Sequence, residues 1–172
     1  SWEDALWDLL KHFKIQKGTK VLLPDFFCRD VEKNMRRHGL ECIWYEVDKN
    51  FQTTPEIFKR HLKKYKPKIV VIFHAVGITN RLLKKTEWLS ELPQDAILIE
   101  DCVHQIINPK KIKFIAPRHV IIDSLRKVTP LMGSNLYADK KIKIQQTSWR
   151  KTWRYQCRVI GWWIIFQFCL IC

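Results

Sequence analysis

The sequence predicts a three-layer α/β/α domain built on a mostly parallel sheet, and three observations predict it. Helix-like and strand-like segments alternate along the chain, as they do in folds assembled from strand–helix repeats. The runs Ile69 to Phe73, Ile97 to Ile99 and His119 to Ile122 are continuously apolar rather than alternating, the pattern of parallel strands covered on both faces. The last two runs end on groups able to do chemistry: Glu100, Asp101 and His104 after one, Asp123, Ser124, Arg126 and Lys127 after the other. Open α/β sheets collect ligand groups just beyond the carboxyl ends of their strands.

Each element has its own signal. Trp2, Ala5, Leu6, Leu9, Leu10 and Phe13 recur at helical spacing, which predicts an opening helix stopped by Gly18. Lys20 to Leu23 reads as a strand ended by Pro24, followed by the aromatics Phe26 and Phe27. Arg29 to His38 reads as a helix closed by Gly39, and Glu41 to Val47 as the next strand. Thr54 is a good N-cap and Pro55 suits the first helical position, so a helix starts there and Pro67 forbids its continuation. Lys68 to His74 is the third strand, in which His74 reads as structural rather than catalytic. Leu82 to Leu92 is expected to be helical, Ile97 to Asp101 and His119 to Ile122 are the buried central strands, and Asn135 to Ala138 begins another strand.

Composition narrows the function classes. The 172 residues predict one domain over residues 1–140, followed by an atypical tail over 141–172. Lys+Arg of 31 against Asp+Glu of 17 gives a net charge of +14, which attracts anionic partners, but the lysines are spread over helix faces and no nucleic-acid-binding motif is present. Of the 6 cysteines only Cys169 and Cys172 have C-x-x-C spacing, with neither a second pair nor a nearby histidine to complete a zinc site, and no metal is expected. No strand is followed by G-x-G-x-x-G and no P-loop occurs, which argues against a dinucleotide or Walker-type phosphate site. The opening segment is amphipathic and of mixed charge, so a cytoplasmic setting is expected. From Gln145 to Cys172 there is no acidic residue, and Val159 to Cys172 is almost wholly apolar but shorter than the ~20 residues of a membrane-spanning helix. Membrane association, if any, is expected only through this tail.

A carboxylate at one strand end and a lysine at a nearby one are what pyridoxal phosphate (PLP) requires: the acid keeps the pyridine nitrogen protonated and the amine forms the Schiff base. Asp101 and Lys127 suit those roles. Spacing alone also accommodates Asp101 as a helix cap and Lys127 as a surface lysine.

Taken together, the segments resemble the DegT/DnrJ/EryC1/StrS family of PLP-dependent aminotransferases, from Ser1 to about Tyr137. The resemblance is carried by Ala5-Leu6, Lys17 to Pro24, Val47-Asp48 with Phe51, the stretch Ile99-Glu100-Asp101-Cys102-Val103-His104, and Ser124-Leu125-Arg126-Lys127-Val128-Thr129-Pro130-Leu131. It implies the large domain of the aspartate aminotransferase-like fold (fold type I), with PLP as cofactor. It also implies an amino-acid donor and a nucleotide-linked keto sugar as substrates, and a homodimer for a full-length form. By resemblance Asp101 pairs with the pyridine nitrogen, His104 lies near the ring, Ser124 binds phosphate, and Lys127 is the Schiff-base and proton-shuttling lysine.

The chain departs from the family pattern in three places. Where the family usually has Ser-Gly-x-x-Ala-Leu at the phosphate-binding helix start, this chain has Ser1-Trp2-Glu3-Asp4-Ala5-Leu6, and Trp2 with two acids disfavours phosphate approach. Cys28 falls where many relatives place the ring-stacking aromatic, a role left to Phe26 or Phe27. The family's C-terminal small domain has no counterpart, so the expectation is a truncated large domain. Two further expectations follow: a non-catalytic remnant that keeps the fold, or a basic module that binds nucleic acid or membrane.

Overall fold

Helix α1 (Trp2–His12) forms where the sequence lines up Trp2, Ala5, Leu6, Leu9 and Leu10, all of them buried. Its start is a capping box: the Ser1 hydroxyl accepts from the Asp4 N–H, and the Asp4 carboxylate accepts from the Ser1 nitrogen at 2.6 Å. The structure, a computed structural model, describes residues 1–127, 133–143, 153–162 and 164. The helix ends six residues earlier than Gly18. Lys14 takes the left-handed conformation (φ 51°) and the Ile15 N–H bonds the Leu10 carbonyl at 2.9 Å, which closes the last turn before the glycine is reached. Gly18 (φ 79°) instead turns the chain into the sheet, its N–H donating to the Gly39 carbonyl at 2.7 Å.

Six strands follow among the described residues: β1 (Lys20–Pro24), β2 (Glu41–Tyr45), β3 (Ile69–Phe73), β4 (Ile97–Asp101), β5 (His119–Ile122) and β6 (Leu136–Ala138). They form one sheet in the order β2-β1-β3-β4-β5-β6, parallel throughout except for the antiparallel β5–β6 pair. All of β3 and β5 is buried, as continuous apolar runs require. Helices α2 (Arg29–Arg37) and α3 (Pro55–Tyr65) make the crossovers on either side of β2.

Alternation along the strands builds two cores. Val21, Leu23, Ile69, Val71, Ile97, Ile99, Val120 and Ile122 face α1 and α2. Leu22, Val70, Ile72 and Leu98 face Phe58 and Leu62 of α3 and the side chains Leu82 and Trp88. Because residues one apart on a strand point to opposite faces, Asp101 belongs to the α1 side and Glu100 to the α3 side.

The segment expected as a helix over 82–92 is two short 3₁₀ turns, Arg81–Leu83 and Glu87–Glu91. The apolar spacing is helical, but the buried Trp88 indole donates to the Leu82 carbonyl at 2.9 Å and Asn80 Oδ1 accepts from the Leu82 N–H at 3.1 Å. Side chains thus take the backbone groups that a continuous helix would pair.

The chain is still tied to the body after β6, with Ile142 packed on the α1-side core and the Lys143 N–H donating to His12 Nδ1 at 3.1 Å. Residues 153–162 are helical, with Trp153 and Trp162 exposed. No helix among the described residues is long and apolar enough to cross a membrane. Most of the apolar run expected over Val159 to Cys172, and Val128 to Leu131 of the second motif, lie outside the described residues.

Candidate cofactor site at the strand ends

The strand order places a crevice between β1 and β3. From β1 the chain crosses outward to β2, then returns to lay β3 on the other side of β1, so the connections leaving β1 and β3 diverge. The β1–β3 ladder has only two register pairs, Val21 with Ile69 and Leu22 with Val70, against five between β1 and β2. Such a switch point is where open α/β sheets hold ligands. Phe27 after β1 and Phe73 at the end of β3 meet there edge to face, ring centroids 5.4 Å apart.

Asp101 stands beside Phe73 in the β3–β4 register. Only 2% of it is exposed, and Oδ1 accepts from the Val103 N–H at 3.1 Å. Burial pushes its carboxyl up to about 7, against the opposite pull of the Val103 N–H and of the Trp2 indole. Trp2, 6% exposed, brings its indole N–H close enough to pull this carboxyl down, yet Nε1 has no hydrogen-bond partner among the described residues. Its ring meets Phe27 edge to face at 6.3 Å.

His104 lies against Phe73 at 5.4 Å between centroids, and its Nδ1 accepts from the Val76 N–H at 3.2 Å. That bond assigns the proton of the neutral ring to Nε2. Burial first, and the nearby positive charge of Lys127 second, hold its pKa below the ordinary histidine value. The loop that delivers the Val76 N–H is tight. Val76 has a left-handed φ of 47°, and a Cβ on Gly77 (φ 82°) would lie 3.2 Å from the His104 carbonyl oxygen.

Lys127 closes the 3₁₀ turn Leu125–Lys127 after β5, its backbone N–H donating to the Ser124 carbonyl at 3.2 Å. Its side chain is exposed, and Ser124 is half-buried. Asp101, His104 and Lys127 therefore share one end of the sheet. The other two residues expected near a cofactor stand at helix starts: Ser1 is the N-cap of α1, and Cys28, exposed, precedes α2. Ser1, Asp4, Asp8, Tyr137 and Lys140 line a cleft of about 550 Å³ between α1 and β6, which Asp101, His104 and Lys127 do not line. Phe26 faces away, 49% exposed and packed on Phe51 at 4.5 Å, so of the two candidate aromatics only Phe27 reaches the crevice.

The opposite sheet face carries a second polar cluster. His74 Nδ1 accepts from the Asn80 N–H at 3.0 Å, so its Nε2 donates to Glu100 Oε1 at 2.9 Å. His119 repeats the arrangement: Nδ1 accepts from the Ile115 N–H at 3.1 Å, and Nε2 lies 3.1 Å from Glu100 Oε2, off hydrogen-bond alignment. Burial raises the Glu100 pKa, but the two imidazoles outweigh it and hold the carboxyl at about 2. His74, Glu100 and Cys102 have ligand-type atoms within 4.8 Å of one another. Metal binding at His74 Nε2 would require the proton on Nδ1, which is already an acceptor, so the cluster is a hydrogen-bonded clamp.

No family model and no curated protein matches the chain. Solved structures do. A chain from Streptococcus pneumoniae described as a sugar aminotransferase in its PLP form superposes with a TM-score of 0.63 at 12% identity, over 81% of this chain and 40% of that one. 3-Amino-5-hydroxybenzoic acid synthase gives 0.61 at 16%, over 81% and 37%. Histidinol-phosphate aminotransferase from Sinorhizobium meliloti, in complex with PLP, gives 0.53 at 10%, over 69% and 34%. The fold is that of the fold type I aminotransferases. This chain spans between 34% and 40% of the length of these three.

Within that fold, the sequence marks Asp101, His104, Ser124 and Lys127, with Phe27, Cys28 and Ser1 beside them, but not the other residues that set their surroundings. Trp2 was legible only as a departure at a helix start, Phe73 only as a strand residue, and Val76 and Gly77 gave no signal beyond a turn. The pairing of His74 and His119 with Glu100 joins three elements, and no local spacing announces it.

Proposed function

We propose that the chain carries the cofactor-binding half of a PLP-dependent aminotransferase site, acting on a nucleotide-linked keto sugar with an amino acid as donor. The observation that carries this reading is Asp101: a buried carboxyl at a switch-point strand end, lacking a cationic partner among the described residues and pushed up to about 7 by burial. A protonated pyridine nitrogen is the partner such a group lacks. Bound PLP supplies an electron sink for moving an amino group between carbons.

The chain's own residues would do the rest. Asp101 holds the proton on the pyridine nitrogen, and Phe27, Phe73 and His104 wall the ring. The Ser124 hydroxyl faces phosphate. Lys127 attaches the cofactor through Nζ, and the same amine moves the proton. The sugar substrate is supported by the motifs around Asp101 and Lys127 and by a neighbour described as a sugar aminotransferase. A homodimer completing the site and a cytoplasmic setting belong to the same proposal.

Borohydride reduction of the PLP-treated chain, followed by peptide mass mapping, tests the reading. A pyridoxyl group on Lys127, lost in Lys127→Ala and weakened in Asp101→Asn, is expected. A folded chain that stays colourless and unlabelled at saturating PLP refutes it. A second reading, a fold that keeps these residues without turnover, is favoured by Trp2, whose indole is directed at Asp101.

A further inference from the structure

Trp2 and Asp101 are two buried groups that each lack something the other offers. The indole N–H is a donor without an acceptor, and Asp101 is an acceptor with only the Val103 N–H at Oδ1 among the described residues. The indole sits in an aromatic cage, edge to face with Phe27 at 6.3 Å, while Phe27 meets Phe73 at 5.4 Å and Phe73 meets His104 at 5.4 Å. A flat nitrogen heterocycle with its N–H aimed at Asp101 is what the proposed cofactor would bring, and the chain already supplies one.

Resting on the PLP reading, we propose that Trp2 is the residue that decides cofactor access: its indole occupies the ring position facing Asp101, and PLP enters only when Trp2 leaves. Because Trp2 is the first residue of α1, it can leave by unwinding a single turn, with Leu6, Leu9 and Leu10 still seated in the core.

The test uses the full chain, with PLP as probe, in wild type, Trp2→Gly and Lys127→Ala, each checked for folding by circular dichroism. Trp2→Gly is expected to reach half-maximal borohydride-trapped labelling of Lys127 at about tenfold lower PLP than wild type, the factor for an open form populated about one time in ten. Labelling of both at the same PLP concentration overturns the proposal and leaves the cofactor reading standing.

A second measurement needs neither PLP nor the glycine variant, which opens a hole in the core. In ¹H–¹⁵N spectra, the indole resonance that vanishes in Trp2→Phe is expected to shift in Asp101→Asn. No shift overturns the proposal. A shift without labelling of any variant supports the Trp2–Asp101 contact and removes the cofactor reading.

Discussion

His74 donates to Glu100 at 2.9 Å across the β3–β4 pair, on the sheet face opposite Asp101. The bond holds the end of β3 to the end of β4, next to the crevice where Phe73 and Asp101 stand. Glu100→Gln keeps the size but replaces one acceptor oxygen by a donor. It is expected to cost roughly 1–3 kcal/mol for each imidazole N–H left without an acceptor. The urea midpoint should fall at unchanged slope. A midpoint shift equivalent to less than about 0.5 kcal/mol, the range of an ordinary surface change, would show that the clamp is dispensable.

Neighbouring residues on β4 titrate in opposite senses. The Glu100 carboxyl, at about 2 in the fold against an ordinary 4.5, stabilises the protein above pH 4.5, and that contribution is lost as pH falls toward 2. Asp101, at about 7 against an ordinary 3.8, stays protonated in the fold after the unfolded chain has released its proton. Stability therefore declines as pH rises from about 4 to about 7, by on the order of a few kcal/mol, and then levels. Urea midpoints across this range should be flatter in Asp101→Asn. Identical slopes in both proteins would refute the burial of an isolated carboxyl.

Val76 pays for the position of His104. It is β-branched, 62% exposed, and held at φ 47°, a conformation that costs an L-residue about 1–2 kcal/mol. Val76→Gly is expected to stabilise the chain by up to about 1 kcal/mol, since glycine's extra unfolded-state freedom offsets part of the relief. Gly77→Ala should do the reverse, because its Cβ would press on the His104 carbonyl oxygen at 3.2 Å. Thermal midpoints of the two variants decide the matter.

Asp123 organises the edge of the sheet. Its carboxylate accepts from the Asn135 backbone N–H at 2.7 Å, the Asn135 side-chain amide at 2.9 Å and the Tyr137 hydroxyl at 3.0 Å. Tyr137→Phe should cost about 1 kcal/mol, and Asp123→Ala more, because it strands three donors at once. Amide exchange of β6 should rise in Asp123→Ala while that of β3 stays slow; equal protection in both strands would contradict the assignment.

The sheet was legible because Ile69 to Phe73 and His119 to Ile122 are continuous apolar runs, and burial on both faces leaves no other use for them. The 82–92 segment misled because Leu82, Leu89 and Leu92 recur at helical spacing, yet the Trp88 indole bonds the Leu82 carbonyl, and periodicity carries no information about such a bond. At the site, Asp101 and Lys127 could be picked out since strand ends collect ligands. What stands beside them could not, because Trp2 meets Asp101 only through the packing of α1 on the sheet.

The placement of β3 between β1 and β4 also has a kinetic side. Strand β1 cannot acquire its second neighbour until α2, β2 and α3 have all been made, since the partner lies beyond them in the chain. Until then Val21 and Leu22 present an open, apolar strand edge. The crevice therefore takes shape only once β3 has emerged, and Asp101 at the end of β4 and Lys127 after β5 join it later still. Refolding at high concentration should lose material to association through that edge before the site exists.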